Sequence, residues 1–216
     1  EIQNYFDGKT ISWYDEIVQQ ALRQKYDVSI KGGSEKISFY SSFGYTDNEG
    51  IRFGDIYSLV TSRFNISAEI ADFLTIGTNT NLAYRDESDV PANMNFSNTP
   101  YGDKYEEDGT TLRWYTNGMI NATNPLINAY YQDRERKSYN LVSSIFADLD
   151  LPYGFKFKLT FQPRIGFSKD YNFYPSTTLE GGRERQDGYG TREDSHHYEW
   201  ILDNLLTWNK QIDIHN

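Results

Sequence analysis

The sequence contains no cysteine, which excludes a disulfide framework and any thiolate metal site. It also lacks a run of about 20 apolar residues, so no transmembrane helix is expected. Positive charge is scarce: 21 Lys and Arg stand against 31 Asp and Glu, a formal net charge of −10. Phosphate binding needs a basic patch, so nucleic acid is excluded as a partner. Only three histidines are present. His196 and His197 are adjacent, and on a strand such neighbours face opposite ways and cannot chelate together. Asp103 to Gly109 is rich in acids but lacks the alternating ligand spacing and the later glutamate of a calcium loop. No Gly-x-Ser-x-Gly elbow, phosphate-cradling glycine loop or paired carboxylate on a definable cleft occurs. No enzyme, cofactor or metal is therefore expected. No basic, apolar leader opens the chain and Glu1 is not a natural start, so the 216 residues are expected to be an excerpt of a longer protein.

What the sequence has in abundance is aromatic side chains, 16% of residues with eighteen tyrosines, set in long period-two patterns. Tyr26, Val28 and Ile30 alternate with Asp27, Ser29 and Lys31. After Gly32-Gly33-Ser34, Ile37, Phe39, Phe43 and Tyr45 alternate with Ser38, Tyr40, Ser42 and Thr46. This predicts a hairpin of strands 25–33 and 35–46, with the turn glycines taking positive φ. Further strands are predicted over 56–70, 73–85, 138–151, 155–168 and 197–209. The clearest is 155–168, where Phe155, Phe157, Leu159, Phe161, Ile165 and Phe167 share one face. Pro163 on that face cannot donate to a ladder, which predicts a bulge. Residues 1–24 are predicted as a separate short helix and loop segment, with Ser12 as N-cap and Asp15-Glu16 in the first turn.

Connections alternate in length. The turns at Gly32–Ser34, Ala71-Asp72 and Pro152–Gly154 are short. The connection from Asp47 to Asp55 is longer, and loops 86–133 and 169–195 are very long. Short turns at one rim and long loops at the other is the pattern of outer-membrane barrels. On the last strand Tyr198 and Trp208 lie ten residues apart, roughly 25 Å along the membrane normal at about 3.3 Å per residue and a tilt near 40°. The predicted fold class is all-β, an antiparallel up-and-down transmembrane β-barrel segment covering residues 25–216, with about seven strands of a larger barrel.

The motif order also carries a resemblance. Ser29-Ile30-Lys31-Gly32-Gly33-Ser34-Glu35-Lys36, followed by Phe43-Gly44-Tyr45-Thr46-Asp47-Asn48-Glu49-Gly50-Ile51, is similar to the early barrel region of SusC/RagA-type TonB-dependent transporters of Bacteroidetes. Trp13–Ile17, Leu74–Asn79, Asn124-Pro125-Leu126, Leu151–Gly154 and Asp203–Lys210 fit the same order. The resemblance implies a 22-strand barrel in the outer membrane, a plug and TonB box outside this chain, and coupling to TonB-ExbB-ExbD. It further implies a SusD-like surface lipoprotein partner and uptake of glycans, oligosaccharides or oligopeptides.

The chemistry left to such a chain is recognition. Loop 86–133 carries Tyr101, Tyr105, Trp114, Tyr115, Tyr130 and Tyr131, whose flat faces suit sugar rings and peptide backbones. These six are the candidate substrate- or lid-binding residues. Acids Asp86, Glu87, Asp89, Asp103, Glu106, Glu107, Asp108 and Asp133 outnumber the bases Lys104 and Arg113 there, which argues against an anionic cargo. A surface or secreted β-rich carbohydrate-binding module without transport activity is the alternative; an enzyme built into a barrel is a more distant one.

Overall fold

A computed structural model of the chain describes residues 1–93, 98–117, 122–183 and 187–209. Parts of the expected loops 86–133 and 169–195, and the end of the 25–216 region, lie outside the described residues. Seven antiparallel strands form one sheet in sequence order: β1 (Arg23–Gly33), β2 (Ile37–Glu49), β3 (Ile56–Ala71), β4 (Leu74–Asp86), β5 (Asp133–Leu151), β6 (Phe155–Tyr174) and β7 (Tyr189–Trp208). Among the described residues three short α-helices accompany them: α1 (Ile2–Asp7), α2 (Trp13–Ile17) and α3 (Ile127–Tyr131). No described helix is long and apolar enough to cross a membrane. Among the described residues β1 and β7 each pair on one side only.

The register sorts side chains onto two faces, because directly paired residues point the same way. One unbroken row runs Tyr26–Tyr45–Val60–Tyr84–Tyr139–Phe167–His196 across all seven strands. The residues two and four positions further along each strand continue that face with Val28, Phe43, Leu82, Leu141, Ile165, Tyr198 and Trp200. The opposite face carries Lys25, Asp27, Arg63, Asn81, Asp148, Lys158, Arg164 and Glu199. The sheet has no buried hydrophobic cluster of its own among the described residues. Among the described residues, the buried apolar cluster is Trp13, Ile17, Ala92, Leu112 and Leu126, all in the helices and the β4–β5 loop.

Several expectations are corrected. β5 begins at Asp133, β6 runs to Tyr174 and β7 starts at Tyr189, so the last connection is much shorter than 169–195. The added stretches are charged on both faces, and alternation cannot be seen where water wets both sides. The N-terminal helix is two helices, because Gly8 adopts the left-handed conformation (φ 67°) and caps α1. Ser12 does cap α2, its Oγ accepting from Asp15 N. Pro163 makes no bulge. The pairings Val142↔Arg164 and Ile145↔Phe161 keep one register, and the ladder only lapses at the two intervening pairs. Nor do Gly32 and Gly33 take positive φ. Glycine is needed at 33 for space, since a Cβ there would lie 2.3 Å from the Ile37 carbonyl oxygen. The positive φ appears instead in the Pro152–Gly154 turn, at Tyr153 (64°) and Gly154 (84°).

Candidate functional site

Long connections gather at one rim of the sheet, and there they fold into a cap. Trp13 and Ile17 of α2 bury against Leu112, Leu126 and Ala92, with Ile11, Phe53, Ala129 and Tyr131 packed around them. Burying side chains of this size stabilises by about 1.5–3 kcal/mol each. Polar contacts fix the orientation. Trp13 Nε1 donates to Thr99 O at 2.8 Å, and Asn4 Nδ2 donates to Tyr101 O and Asp103 Oδ1. Lys104 Nζ pairs with Glu16 Oε2 at 2.5 Å. Partial burial works against the Lys104 charge, but the hydrogen bonds and attraction from Glu16 and Tyr105 outweigh it and hold its pKa above the usual lysine range. Asp108 caps its own turn: Thr111 Oγ1 and the backbone N–H groups of Thr111 and Thr110 all donate to it, which lowers its pKa to about 2.

The six candidate aromatics are all in this cap, but they do different work. Tyr101 meets Tyr5 edge to face, with ring centroids 5.3 Å apart. Tyr131 packs on the apolar cluster, and its hydroxyl accepts from Leu112 N. Trp114 reaches the next loop, its Nε1 donating to Thr177 O at 2.9 Å; a Cβ on Gly182 would lie 2.6 Å from its ring. Tyr115 lies in an isolated bridge with Thr123 and is half-buried. Tyr105 and Tyr130 keep the most open surface, 39% and 54%, and Tyr130 stacks on Phe53 at 5.2 Å. Thus Trp114 and Tyr131 tie the cap together, while Tyr105 and Tyr130 present ring surface outward.

The acid excess of the loop is partly spent internally. Arg113 binds both Asp103 (2.9 Å) and Glu106 (3.3 Å), and Glu16 takes Lys104. Below the cap, the polar face of the sheet carries cross-strand ion pairs: Lys156–Asp150 (2.8 Å), Lys158–Asp148 (3.3 Å) and Arg164–Glu199 (2.6 Å). All are well exposed, so each contributes only about 0–1 kcal/mol and keeps the face wettable. A hollow of about 640 Å³ on this face, near the short turns, exposes Tyr40, Asn65, Asn79 and Phe146. Sequence reading passed over it, because Asn65 and Asn79 become neighbours only through the β3–β4 register. No group of three or more His, Asp or Glu able to hold a metal ion occurs among the described residues.

No protein-family model matches the chain. A TonB-dependent receptor of Formosa agariphila is 25% identical over 206 residues, covering 91% of this chain and 19% of the relative. A second TonB-dependent receptor of that bacterium is 28% identical over 171 residues, covering 76% of this chain and 17% of the relative. The chain thus spans under a fifth of the length of these curated relatives. Among solved structures, the RagAB peptide importer in its closed-closed state superposes with a TM-score of 0.76 at 18% identity, over 94% of this chain and 24% of that one. Another structure, of the RagAB peptide transporter, gives 0.75 at 17% identity, over 95% and 24%. Over most of its length the chain is therefore similar in sequence to TonB-dependent receptors, and its seven-stranded sheet has the fold of a segment of the RagAB transporter barrel.

Proposed function

We propose that this chain is part of an importer in the cell outer membrane that takes up oligosaccharides or oligopeptides with a SusD-like surface lipoprotein. In this reading residues 1–24 form a helical segment of the cap, and residues 25–216 belong to the barrel wall. TonB-ExbB-ExbD acts through parts of the protein outside this chain. The observation that carries the reading is the two-faced sheet: an apolar outer face, a face of ion pairs turned inward, and folded loops over one rim. Transport through such a wall needs no covalent chemistry from these residues. The cap's acid excess and its open rings at Tyr105 and Tyr130 favour a neutral cargo, or a lipoprotein surface, over an anion.

The test is growth on the cognate nutrient together with co-purification of the lipoprotein. Tyr105→Ala with Tyr130→Ala is expected to weaken uptake or lipoprotein association while the barrel assembles at normal levels. Trp114→Ala with Tyr115→Ala is expected to do so with greater loss of loop order, because Trp114 joins two loops. Normal growth and normal association in both double variants would leave these four aromatics, like Tyr101 and Tyr131, as packing groups and refute the assignment.

A further inference from the structure

Directly above the aromatic row on the outer face, the register brings two lysines together. Lys137 of β5 pairs with Lys169 of β6, flanked by Asp86 of β4 and Asp194 of β7, so the row reads acid, base, base, acid. Like charges directly opposite across strands are unfavourable unless something negative lies between them. The flanking acids are already engaged. Asp86 accepts from Ser88 and from the Tyr84 hydroxyl, and Asp194 accepts from the Tyr171 hydroxyl and Arg192. Lys137 Nζ lies 3.1 Å from Glu135 and 3.9 Å from Asp86. Lys169 Nζ sits 5.9 Å from the ring centroids of Phe167 and Tyr171. An ammonium group has three donors, so both lysines keep protons to give.

Beneath them the rings of Tyr84, Tyr139 and Phe167 stand in contact, with centroids 4.8 and 5.9 Å apart. Under that shelf lies a hollow of about 330 Å³ whose floor is Ser62, Leu82, Leu141 and Ile165. It lies on strands β3–β6, away from both open edges of the sheet. Two bases over an aromatic shelf, with an apolar hollow below, match a molecule with a phosphate at one end and an alkyl chain at the other.

We propose that Lys137 and Lys169 hold the phosphate of an anionic lipid of the outer leaflet, whose acyl chain lies in the hollow beneath Tyr84, Tyr139 and Phe167. The occupant is a lipid and not a free phosphate ion, because the hollow continues the site into the apolar face. This rests on the reading of that face as membrane-facing.

The experiment is native mass spectrometry of the full-length transporter with diphosphoryl lipid A, dilauroyl phosphatidylcholine or inorganic phosphate. Lipid A is expected to be retained over phosphatidylcholine by about 30-fold, each lysine contributing roughly fivefold at an anionic lipid. Lys137→Gln with Lys169→Gln is expected to abolish that preference and leave phosphatidylcholine retention unchanged. Ser62→Phe, which fills the hollow, is expected to lower retention of both lipids. An undiminished preference in the double lysine variant overturns the proposal. So does displacement of lipid A by millimolar inorganic phosphate with no effect of Ser62→Phe. If Leu159→Arg destabilises the barrel in a urea folding titration but no lipid A preference exists, the lipid site fails and the membrane reading stands. If Leu159→Arg is as stable as the unaltered barrel in that titration, the membrane reading itself fails.

Discussion

Replacing Leu159 with arginine tests the two-faced sheet at one position. On β6 the outer face runs Phe155, Phe157, Leu159, Phe161, Pro163, Ile165 and Phe167, then turns charged at Lys169. The twelve steps from Phe155 to Phe167 cover roughly 40 Å of strand, or about 30 Å along the membrane normal at a tilt near 40°. Leu159 lies two positions from the centre of that stretch, flanked by Ala147 and Asn204 on the neighbouring strands. A charge there meets hydrocarbon close to the midplane, and Leu159→Arg is expected to destabilise by about 2–4 kcal/mol. Lys158 points the other way, 3.3 Å from Asp148, with half its side chain exposed. Lys158→Gln is expected to cost about 0–1 kcal/mol, as an exposed ion pair does. Phe155→Arg, at the end of the apolar stretch, is expected to cost about 0–1 kcal/mol. The assay is a urea folding titration of the full-length barrel in lipid vesicles. Equal losses at 158 and 159, or a loss at 155 as large as at 159, would refute the bilayer-facing assignment.

Two further outcomes follow from the same geometry. Thr111 lies in the cap and Asp72 in the short β3–β4 turn at the opposite rim. A membrane-impermeant maleimide on intact cells is therefore expected to label Thr111→Cys and spare Asp72→Cys; the reverse pattern would invert the topology. Asp108 titrates near 2 in the folded cap against an ordinary value of 3.8. Because its folded pKa is the lower one, its contribution is present above about pH 4 and is lost as pH falls from there towards 2. The protection factor at Thr110 and Thr111, exchange relative to an unstructured peptide at the same pH, is expected to fall over that window and to be low and constant there in Asp108→Ala; no difference between the two proteins would show that the carboxylate does not hold the turn.

The strands were legible where their two faces carry opposite side chains. Phe155–Phe167 alternates apolar with polar along its length, whereas on β4 the pattern lapses at Thr78 and Thr80, which share the apolar face and bond to Ser143. Where β5, β6 and β7 extend past the aromatic row, Arg134, Glu135, Arg136, Asp170, Arg192 and Glu193 are polar on both sides, and periodicity carries no signal. Pro163 shows a second limit. A missing donor forces a bulge only if the ladder must stay complete, and here the β5–β6 ladder simply skips two pairs without changing register. The cap was legible as a long aromatic-rich loop but not as a packed unit. Its cluster joins Trp13 and Ile17 to Leu112 and Leu126, about a hundred residues away, and no local pattern reports so distant a contact.

That division has a physical consequence for the whole chain. The sheet's large side chains, such as Val28, Trp200 and Leu206, are exposed at 72%, 56% and 59%. Their transfer from water depends on lipid and on neighbouring strands, since the sheet offers them no second layer. The cap is different, because Leu126 and Ala92 are 1% and 0% exposed within this chain. Its order comes from α2, the β4–β5 loop and the Trp114 link to the following loop, and needs no bilayer. Under the proposed function, a binding surface built on it would keep its shape while lipid holds the wall beneath, which is why that proposal puts recognition at Tyr105 and Tyr130, the open rings on the part of the chain that packs against itself.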